Sequence, residues 1–274
     1  MAEDADAGLA LDGTQLERYS RHIIMDDVGP EGQARLLDSS VLVVGAGGLG
    51  APVLQYLAAA GVGRIGVVDD DVVERSNLQR QVIHADADVG EKKVESARAW
   101  VAAHNPDVTV EARDLRLTAD NVEDVVAGYD LVVDGADNFP TRYLVNDACT
   151  LAGVPHVYGA VHRFEGQVAA FTAGQPCYRC LFPEAPPEGT VPDCATAGVL
   201  GVLPGTVGCL QATEALKLLL GEGDALDGRL LVYDAAGAGF DEVELAADPD
   251  CPVCGTDPEV TDVAQATYEG TCSL

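Results

Sequence analysis

The stretch V-L-V-V-G-A-G-G-L-G, Val41 to Gly50, decides the fold. An Ala-rich helical run follows it, and then I-G-V-V-D, closing at Asp69. A β-branched strand, a Gly-rich turn, a helix and a second strand ended by an acid make a βαβ unit of the dinucleotide-binding kind. Gly45 permits the tight turn, Gly47 lets the backbone approach a phosphate, and Gly50 allows the helix to pack closely on the strand. Asp69 is placed to accept hydrogen bonds from a ribose hydroxyl. The unit predicts an α/β chain that holds a nucleotide at the carboxyl ends of its strands.

The 274 residues, 47% of them hydrophobic, suit one α/β domain over residues 1–274, with 1–13 and 256–274 expected to be flexible. No run approaches the roughly 20 apolar residues of a membrane span, and the start M-A-E-D-A-D-A-G is acidic where a signal peptide is basic. A cytoplasmic protein with no membrane partner is expected. The 45 acidic residues outweigh 16 Lys and Arg, for a net charge of −29. Such a surface repels nucleic acid, so no direct nucleic-acid partner is expected, and it suits a high-salt, halophilic cytoplasm in which screening weakens self-repulsion.

In so acidic a chain the placement of cations is informative. Arg75, Arg80, Lys92 and Lys93 fall within one short span, and the chain has only one other lysine, Lys217. Arg offers a planar fork and Lys a compact charge, the pairing suited to a polyphosphate. The alternative is that they pair with Asp70, Asp71 or Glu91. Ahead of the first strand, Thr14 with Glu17 reads as a capping box opening a helix, and Pro30 opens a second helix to about Leu37. Arg18 and Arg21, a turn apart on the first, are either a solvated face or an anion contact.

Further along, Y-D-L-V-V-D-G-A-D-N runs a buried strand out to Asp137 and Asn138. A carboxylate there could hold Mg²⁺ beside a nucleotide, or this pair could cap the helix beginning near Pro140. Two strands around a turn at Glu165-Gly166, and two more near Leu230–Tyr233 and Phe240–Leu245, predict an antiparallel extension of the sheet. Between them, P-G-T-V-G-C-L-Q-A-T-E-A-L-K-L-L-L-G, with Pro204 in its first turn and Gly221 as its stop, is the longest apolar helix pattern.

Eight cysteines sort into three groups. Cys177, Cys180, Cys251 and Cys254 form two C-x-x-C pairs that together offer four thiolates, a closed tetrahedral site for structural Zn²⁺; disulfides are the alternative. Cys149 and Cys209 lie in apolar helical patterns and are expected in the core. Cys194 stands apart in a Pro-rich loop and reads equally as a nucleophile or an inert thiol, and Cys272 lies in the acidic tail.

R-Y-S-R-H-I at Arg18–Ile23, G-A-G-G-L-G at 45–50, Asp69, S-N-L-Q-R-Q at Ser76–Gln81, V-G-E-K-K-V from Val89, D-N at Asp137–Asn138 and the two C-x-x-C pairs occur in that order. From about Leu16 to Cys254 the chain resembles the ThiF/MoeB/HesA family of ubiquitin-activating-type adenylyltransferases, MoeB-like members above all. The resemblance implies a Rossmann-like, mostly parallel sheet with helices on both faces. It implies a homodimer that uses ATP and Mg²⁺ to adenylate the Gly-Gly carboxylate of a small ubiquitin-like, MoaD-like β-grasp or sulfur-carrier protein, serving conjugation, molybdopterin or tRNA sulfur chemistry. By motif, Gly47 and Gly48 would line the nucleotide and Asp69 hold the ribose. Asn77, Arg80 and Lys93 would contact the phosphates, with Asp137 on Mg²⁺, and Arg21 would reach the partner subunit's ATP. Cys194 aligns with the cysteine that accepts the activated carboxyl group as a thioester in some members. Two departures stand out: His22 replaces a frequent Gln, and V-P-D-C-A-T-A-G replaces the commoner T-C-x-x-A-G. No rhodanese-like segment follows the zinc module, so any sulfur would come from elsewhere. The readings left beside this one are an NAD-dependent oxidoreductase, which leaves the cations and zinc without a role, and a scaffold that has lost catalysis.

Overall fold

The computed structural model describes residues 11–184 and 198–268. Cys194, Cys272 and the extreme N-terminus lie outside them. Eight strands form one sheet in the order β3-β2-β1-β4-β5-β6-β7-β8: β1 (Ser40–Val44), β2 (Arg64–Val68), β3 (Thr109–Arg113), β4 (Leu131–Asp134), β5 (His156–His162), β6 (Glu165–Phe171), β7 (Arg229–Asp234) and β8 (Gly239–Glu244). The pairings from β3 across to β5 are parallel, and those from β5 to β8 antiparallel. This is the expected parallel sheet with its antiparallel extension.

Alternation along β1 builds a core on each face of the sheet. Val41 and Val43 pack with Leu54 and Leu57 of α4 (Gly50–Ala60), Val94 and Val101 of α5 (Lys93–His104), and Leu203 and Val207 of the long helix Val202–Leu220. Leu42 and Val44 face the other way, onto Val122 and Val126 of the helix Val122–Val126 and Leu144, Val145 and Ala148 of the helix Phe139–Ala152. A strand buried on both faces must be apolar throughout, as V-L-V-V is. Labelled in chain order, α1 is Gly13–Arg18, α2 Ser20–Ile23, α3 Gly29–Asp38, α6 Val122–Val126, α7 Phe139–Ala152, α8 Tyr178–Leu181 and α9 Val202–Leu220.

The N-terminal helices are latched by Tyr19. Its hydroxyl donates to Asp107 Oδ2 at 3.1 Å and accepts from Asn105 Nδ2 at 2.9 Å, and burial pushes its pKa up to about 12. Its ring fills the space beside Gly61, where a Cβ would come within 2.6 Å of it. His22 meets Oε1 of the buried Gln33 at 2.9 Å, and Gln33 Nε2 donates to Ala60 O at the end of α4. The unusual His22 thus has a structural partner.

Several local expectations are revised. Asp12, not Thr14, caps α1: its carboxylate accepts from Thr14 and Gln15 N–H while the Gln15 side chain bonds back to Asp12 N–H, leaving Glu17 outside the box. The hairpin turns at Arg163-Phe164, with Arg163 at φ 53°, because the register pairs His162 with Glu165. Two residues of the tail pack onto the domain: Val263 is buried against α6 and α7, and the Tyr268 hydroxyl donates to Asp147 Oδ2 at 2.8 Å. Cys149 is in the core, but Cys209 is half-buried along an open groove shared with Arg80, Val82, Leu200 and Val202. No helix of the described residues is long and apolar enough to cross a membrane.

At the end of β1 the chain leaves no room for side chains. A Cβ on Gly50 would sit 1.8 Å from Gly45 O. Gly50→Ala is therefore expected to lower stability by about 2 kcal/mol or more, read as a shift of the urea midpoint.

Candidate nucleotide site and four-cysteine centre

The carboxyl ends of β1, β2 and β4 converge on the Gly turn. Gly45 N–H donates to Val68 O at 2.8 Å and Gly135 N–H to Val44 O at 2.9 Å. Gly45 takes φ 90°, and a Cβ on it would press to 3.1 Å from Gly135 O. Beyond it, the N–H groups of Gly47, Gly48 and Leu49 have no acceptor among the described residues. They lead into α4, so uncovered donors and the positive helix end face the same crevice, an arrangement suited to an anion.

Asp69 does more than wait for a ribose. Its Oδ2 accepts from Ala46 N at 2.8 Å and its Oδ1 from Asp71 N at 2.9 Å, so the carboxylate ties the Gly turn to the end of β2. Burial raises its pKa, and Lys93 opposes that rise. Lys93, its side chain only 7% exposed, pairs with Asp71 Oδ2 at 2.6 Å. Arg80 lies over the turn, with Cγ 3.5 Å from where a Gly48 Cβ would stand, and donates to Ser76 O at 3.3 Å.

The four clustered cations therefore divide. Arg80 and Lys93 stay beside the turn and Asp69. Arg75 is held by Asp86 at 2.9 and 3.2 Å, and Lys92 by Asp114 and Asp70 O, ion pairs with carboxylates other than those expected, whereas Lys93 takes one of the expected partners, Asp71. Asn77 Oδ1 accepts from Glu74 N at 3.1 Å and shapes the turn that carries Arg80. Arg21 is exposed on α2, and no bond ties it to the Gly turn of its own chain among the described residues.

At the end of β4, Asn138 is the cap of α7, accepting from Thr141 N at 3.0 Å, which leaves Asp137 exposed with Asn138 Nδ2 at 3.3 Å. The two residues thus have separate roles. Asp134, buried beneath them, accepts from Ala136 N at 2.8 Å, and burial pushes its pKa up to about 6. The carboxylates of Asp69, Asp70 and Asp71 lie within 4.8 Å of one another on the β2 side.

Sequence reasoning missed two buried polar residues. Gln81 lies against Gly47, and its Oε1 is buried without a partner among the described residues. His84 reaches under the turn to Ala46 O at 3.0 Å and to Ser96 Oγ at 2.8 Å. Gln81 closes the S-N-L-Q-R-Q motif and His84 follows it by three residues, yet an apolar-polar pattern gives no sign of which face they take.

The four sulfurs of Cys177, Cys180, Cys251 and Cys254 lie within 4.8 Å of one another, none of them in a disulfide. Cys177 and Cys251 are 3.6 Å apart and Cys180 and Cys254 3.4 Å, far beyond the roughly 2.05 Å of a disulfide and near the edge of a tetrathiolate metal site. Asn146 Nδ2 reaches Cys177 Sγ at 3.8 Å and Asp248 N–H reaches Cys180 Sγ at 3.5 Å, contacts that favour thiolate. A buried ion pair anchors the centre: Asp147, fully buried, takes Arg179 in a fork at 2.8 and 2.7 Å and the Tyr268 hydroxyl at 2.8 Å. Asp147→Ala is expected to cost about 3 kcal/mol or more by stranding Arg179, whereas Arg75→Ala at the exposed pair changes stability by about 0.5 kcal/mol or less, both read by urea denaturation.

Comparison with known proteins agrees with this construction. The ThiF family model matches residues 19–253. The SAMP-activating enzyme E1 of Haloferax volcanii is 65% identical over 97% of this chain and 98% of its own length. The sulfur carrier protein adenylyltransferase of Thermus thermophilus is 56% identical over 95% and 97%. The probable adenylyltransferase/sulfurtransferase MoeZ of Mycobacterium tuberculosis is 50% identical over 97% of this chain and 67% of its own. The crystal structure of E. coli MccB with ATP superposes at a TM-score of 0.76 with 23% identity, over 86% of this chain and 74% of that one, a likeness of fold. With the family model matching residues 19–253 and a relative 65% identical over 97% of the chain, the protein belongs to the ThiF family.

Proposed function

We propose that the chain is an adenylyltransferase that uses ATP to activate the C-terminal carboxylate of a small ubiquitin-like or sulfur-carrier protein ending in Gly-Gly. The observation that carries this reading is the Gly turn with its uncovered N–H groups, flanked by Arg80 and Lys93. The near full-length likeness to a SAMP-activating enzyme and a sulfur carrier protein adenylyltransferase supports the choice of substrate.

In this reading the Gly45–Gly50 turn cradles the phosphates and Asp69 holds the ribose. Asn77, Arg80 and Lys93 balance the triphosphate charge, and Asn138 fixes the end of α7 beside them. Lys93 would exchange Asp71 for a phosphate oxygen. The substrate carboxylate attacks the α-phosphorus and pyrophosphate leaves. The nucleophile is already ionised, so no general base is required, and fixed cations stabilise the charge that builds on the phosphoryl oxygens. Mg²⁺, for which the exposed Asp137 carboxylate is a suitable hard ligand, supplies further charge neutralisation on the phosphates. In a homodimer, Arg21 of one subunit completes the site of the other, a role consistent with its exposure on α2. Cys194, outside the described residues, would take the acyl group from the adenylate as a thioester, releasing AMP. An external persulfide attacking the same adenylate would displace AMP to give an acyl disulfide, and a second thiol attacking its S–S bond would release the thiocarboxylate and leave the donor sulfur in a disulfide. The oxidoreductase reading shares the Gly turn and Asp69 but leaves the cation cluster and the four-cysteine centre without an account.

The four-cysteine centre is assigned to structural Zn²⁺. Four convergent thiols supply all four ligands, so the ion would hold α8 to the Cys251–Cys254 turn and take no part in the chemistry.

Incubation with ATP, Mg²⁺ and a Gly-Gly-ended β-grasp protein is expected to give partner-dependent pyrophosphate exchange, and its absence would overturn the reading. Arg80→Ala is expected to lower the exchange rate by roughly 100-fold, the scale of losing one charge-stabilising donor. Cys194→Ala is expected to abolish any thiol-labile adduct with the partner. Metal analysis is expected to find one equivalent of zinc per chain, lost in Cys251→Ser together with a lowered Tm.

A further inference from the structure

We propose that His84 is a positioning residue for the nucleotide: its imidazole Nε2–H holds Ala46 C=O and thereby aims the Gly47 N–H at the phosphates. The proposal rests on the adenylyltransferase reading for the ligand, and on the geometry for the residue.

Two consecutive peptides of the turn are gripped from below. The Gly45–Ala46 peptide is held by its N–H, which donates to Asp69 Oδ2 at 2.8 Å. The Ala46–Gly47 peptide is held by its carbonyl oxygen, 3.0 Å from His84 Nε2. A trans peptide sets its C=O and N–H on opposite sides of the chain, so fixing Ala46 O beneath the turn sends Gly47 N–H out above it. That N–H has no acceptor among the described residues. Left to itself, a peptide between two glycine-rich positions can flip, because little besides its own hydrogen bonds resists rotation. His84 removes that freedom before any ligand arrives.

The ring is held in turn. His84 is 7% exposed, and its Nδ1 lies 2.8 Å from Ser96 Oγ, which lies 2.8 Å from Asp88 Oδ2. Ala46 O can only accept, so Nε2 must carry a proton in either charge state. The Ser96 hydroxyl accommodates both states. It donates to Asp88 when Nδ1 is protonated and turns to donate to Nδ1 when the ring is neutral. Burial lowers the His84 pKa, Lys93 lowers it further, and Asp69, Asp88 and the bond to Ala46 act in the opposite direction. The grip on Ala46 survives each of these changes because none of them takes the proton from Nε2. Asp88 is itself fixed by Ala85 N–H at 2.8 Å, and its pKa is lowered by that bond, so the far end of the relay remains an acceptor.

The test compares direct binding of ATP and of adenosine to the purified full chain by calorimetry, alongside Tm and zinc content. His84→Asn can still face Ser96 but cannot reach Ala46 O; it is expected to weaken ATP binding by about tenfold, the scale of one hydrogen bond, while adenosine, which has no phosphates, binds unchanged. His84→Gln places an amide N–H where Nε2 stood and is expected to restore most of that loss. In the unsubstituted protein, ¹⁵N spectra are expected to show a proton on His84 Nε2 across the neutral pH range. Equal ATP affinity in His84→Asn, equal weakening of ATP and adenosine, or a ring protonated on Nδ1 alone would each overturn the proposal, the last without needing any variant to fold. Failure of the unsubstituted chain to bind ATP would instead overturn the adenylyltransferase reading on which it rests.

Discussion

The molecule depends on how closely three backbone segments approach at the end of the first strand. Gly45 lies against Gly135 from β4, and Gly50 lies against the carbonyl of Gly45. No side chain fits at these contacts. The approach draws the start of α4 down onto the sheet, so that its uncovered N–H groups and the ends of β1, β2 and β4 form one crevice. A looser turn would leave the same residues in the same order, with no common point at which to hold an anion.

Charge is organised around that point. In a chain with a net charge of −29, the cations are scarce, and most of those described are spent on carboxylates: Arg75 on Asp86, Lys92 on Asp114, Arg179 on Asp147. Arg80 has a backbone oxygen for its partner, and Lys93 has a half-exposed Asp71. What sets these two apart is their place beside the Gly turn and Asp69. Helix α7 joins the two centres: its first turn is capped by Asn138 at the crevice, and Asn146 and Asp147, two turns on, secure the cysteine cluster and Tyr268 of the tail. One rigid helix thus fixes the nucleotide crevice relative to the four-cysteine centre.

How far this was legible varies by kind of interaction. The βαβ unit and the C-x-x-C pairs are local patterns, and each turned out as the spacing predicts. The capping of α1 differed because Asp12 and Gln15 make the same box as the expected Thr14 and Glu17, two residues earlier, and sequence cannot rank two adjacent boxes. The hairpin turned at Arg163-Phe164 because cross-strand register outweighs the preference for glycine at a turn. The tail looked too acidic to pack, yet Val263 and Tyr268 find an apolar slot and a buried carboxylate that only the assembled α6 and α7 provide.

The sequence by itself determined the strand–turn–helix–strand unit, the family resemblance and the residues able to meet phosphate or metal, because these rest on short-range sterics and on side-chain chemistry that travels with the residue. Only the tertiary structure decided which cations remain beside the Gly turn, that Asn138 caps a helix while Asp137 stays open, and that four cysteines about seventy residues apart in pairs converge. It alone placed His84 beneath Ala46. Such outcomes depend on which groups meet after the chain has crossed the sheet several times, and a hydrogen bond or ion pair between distant residues leaves no periodic trace in the sequence that makes it.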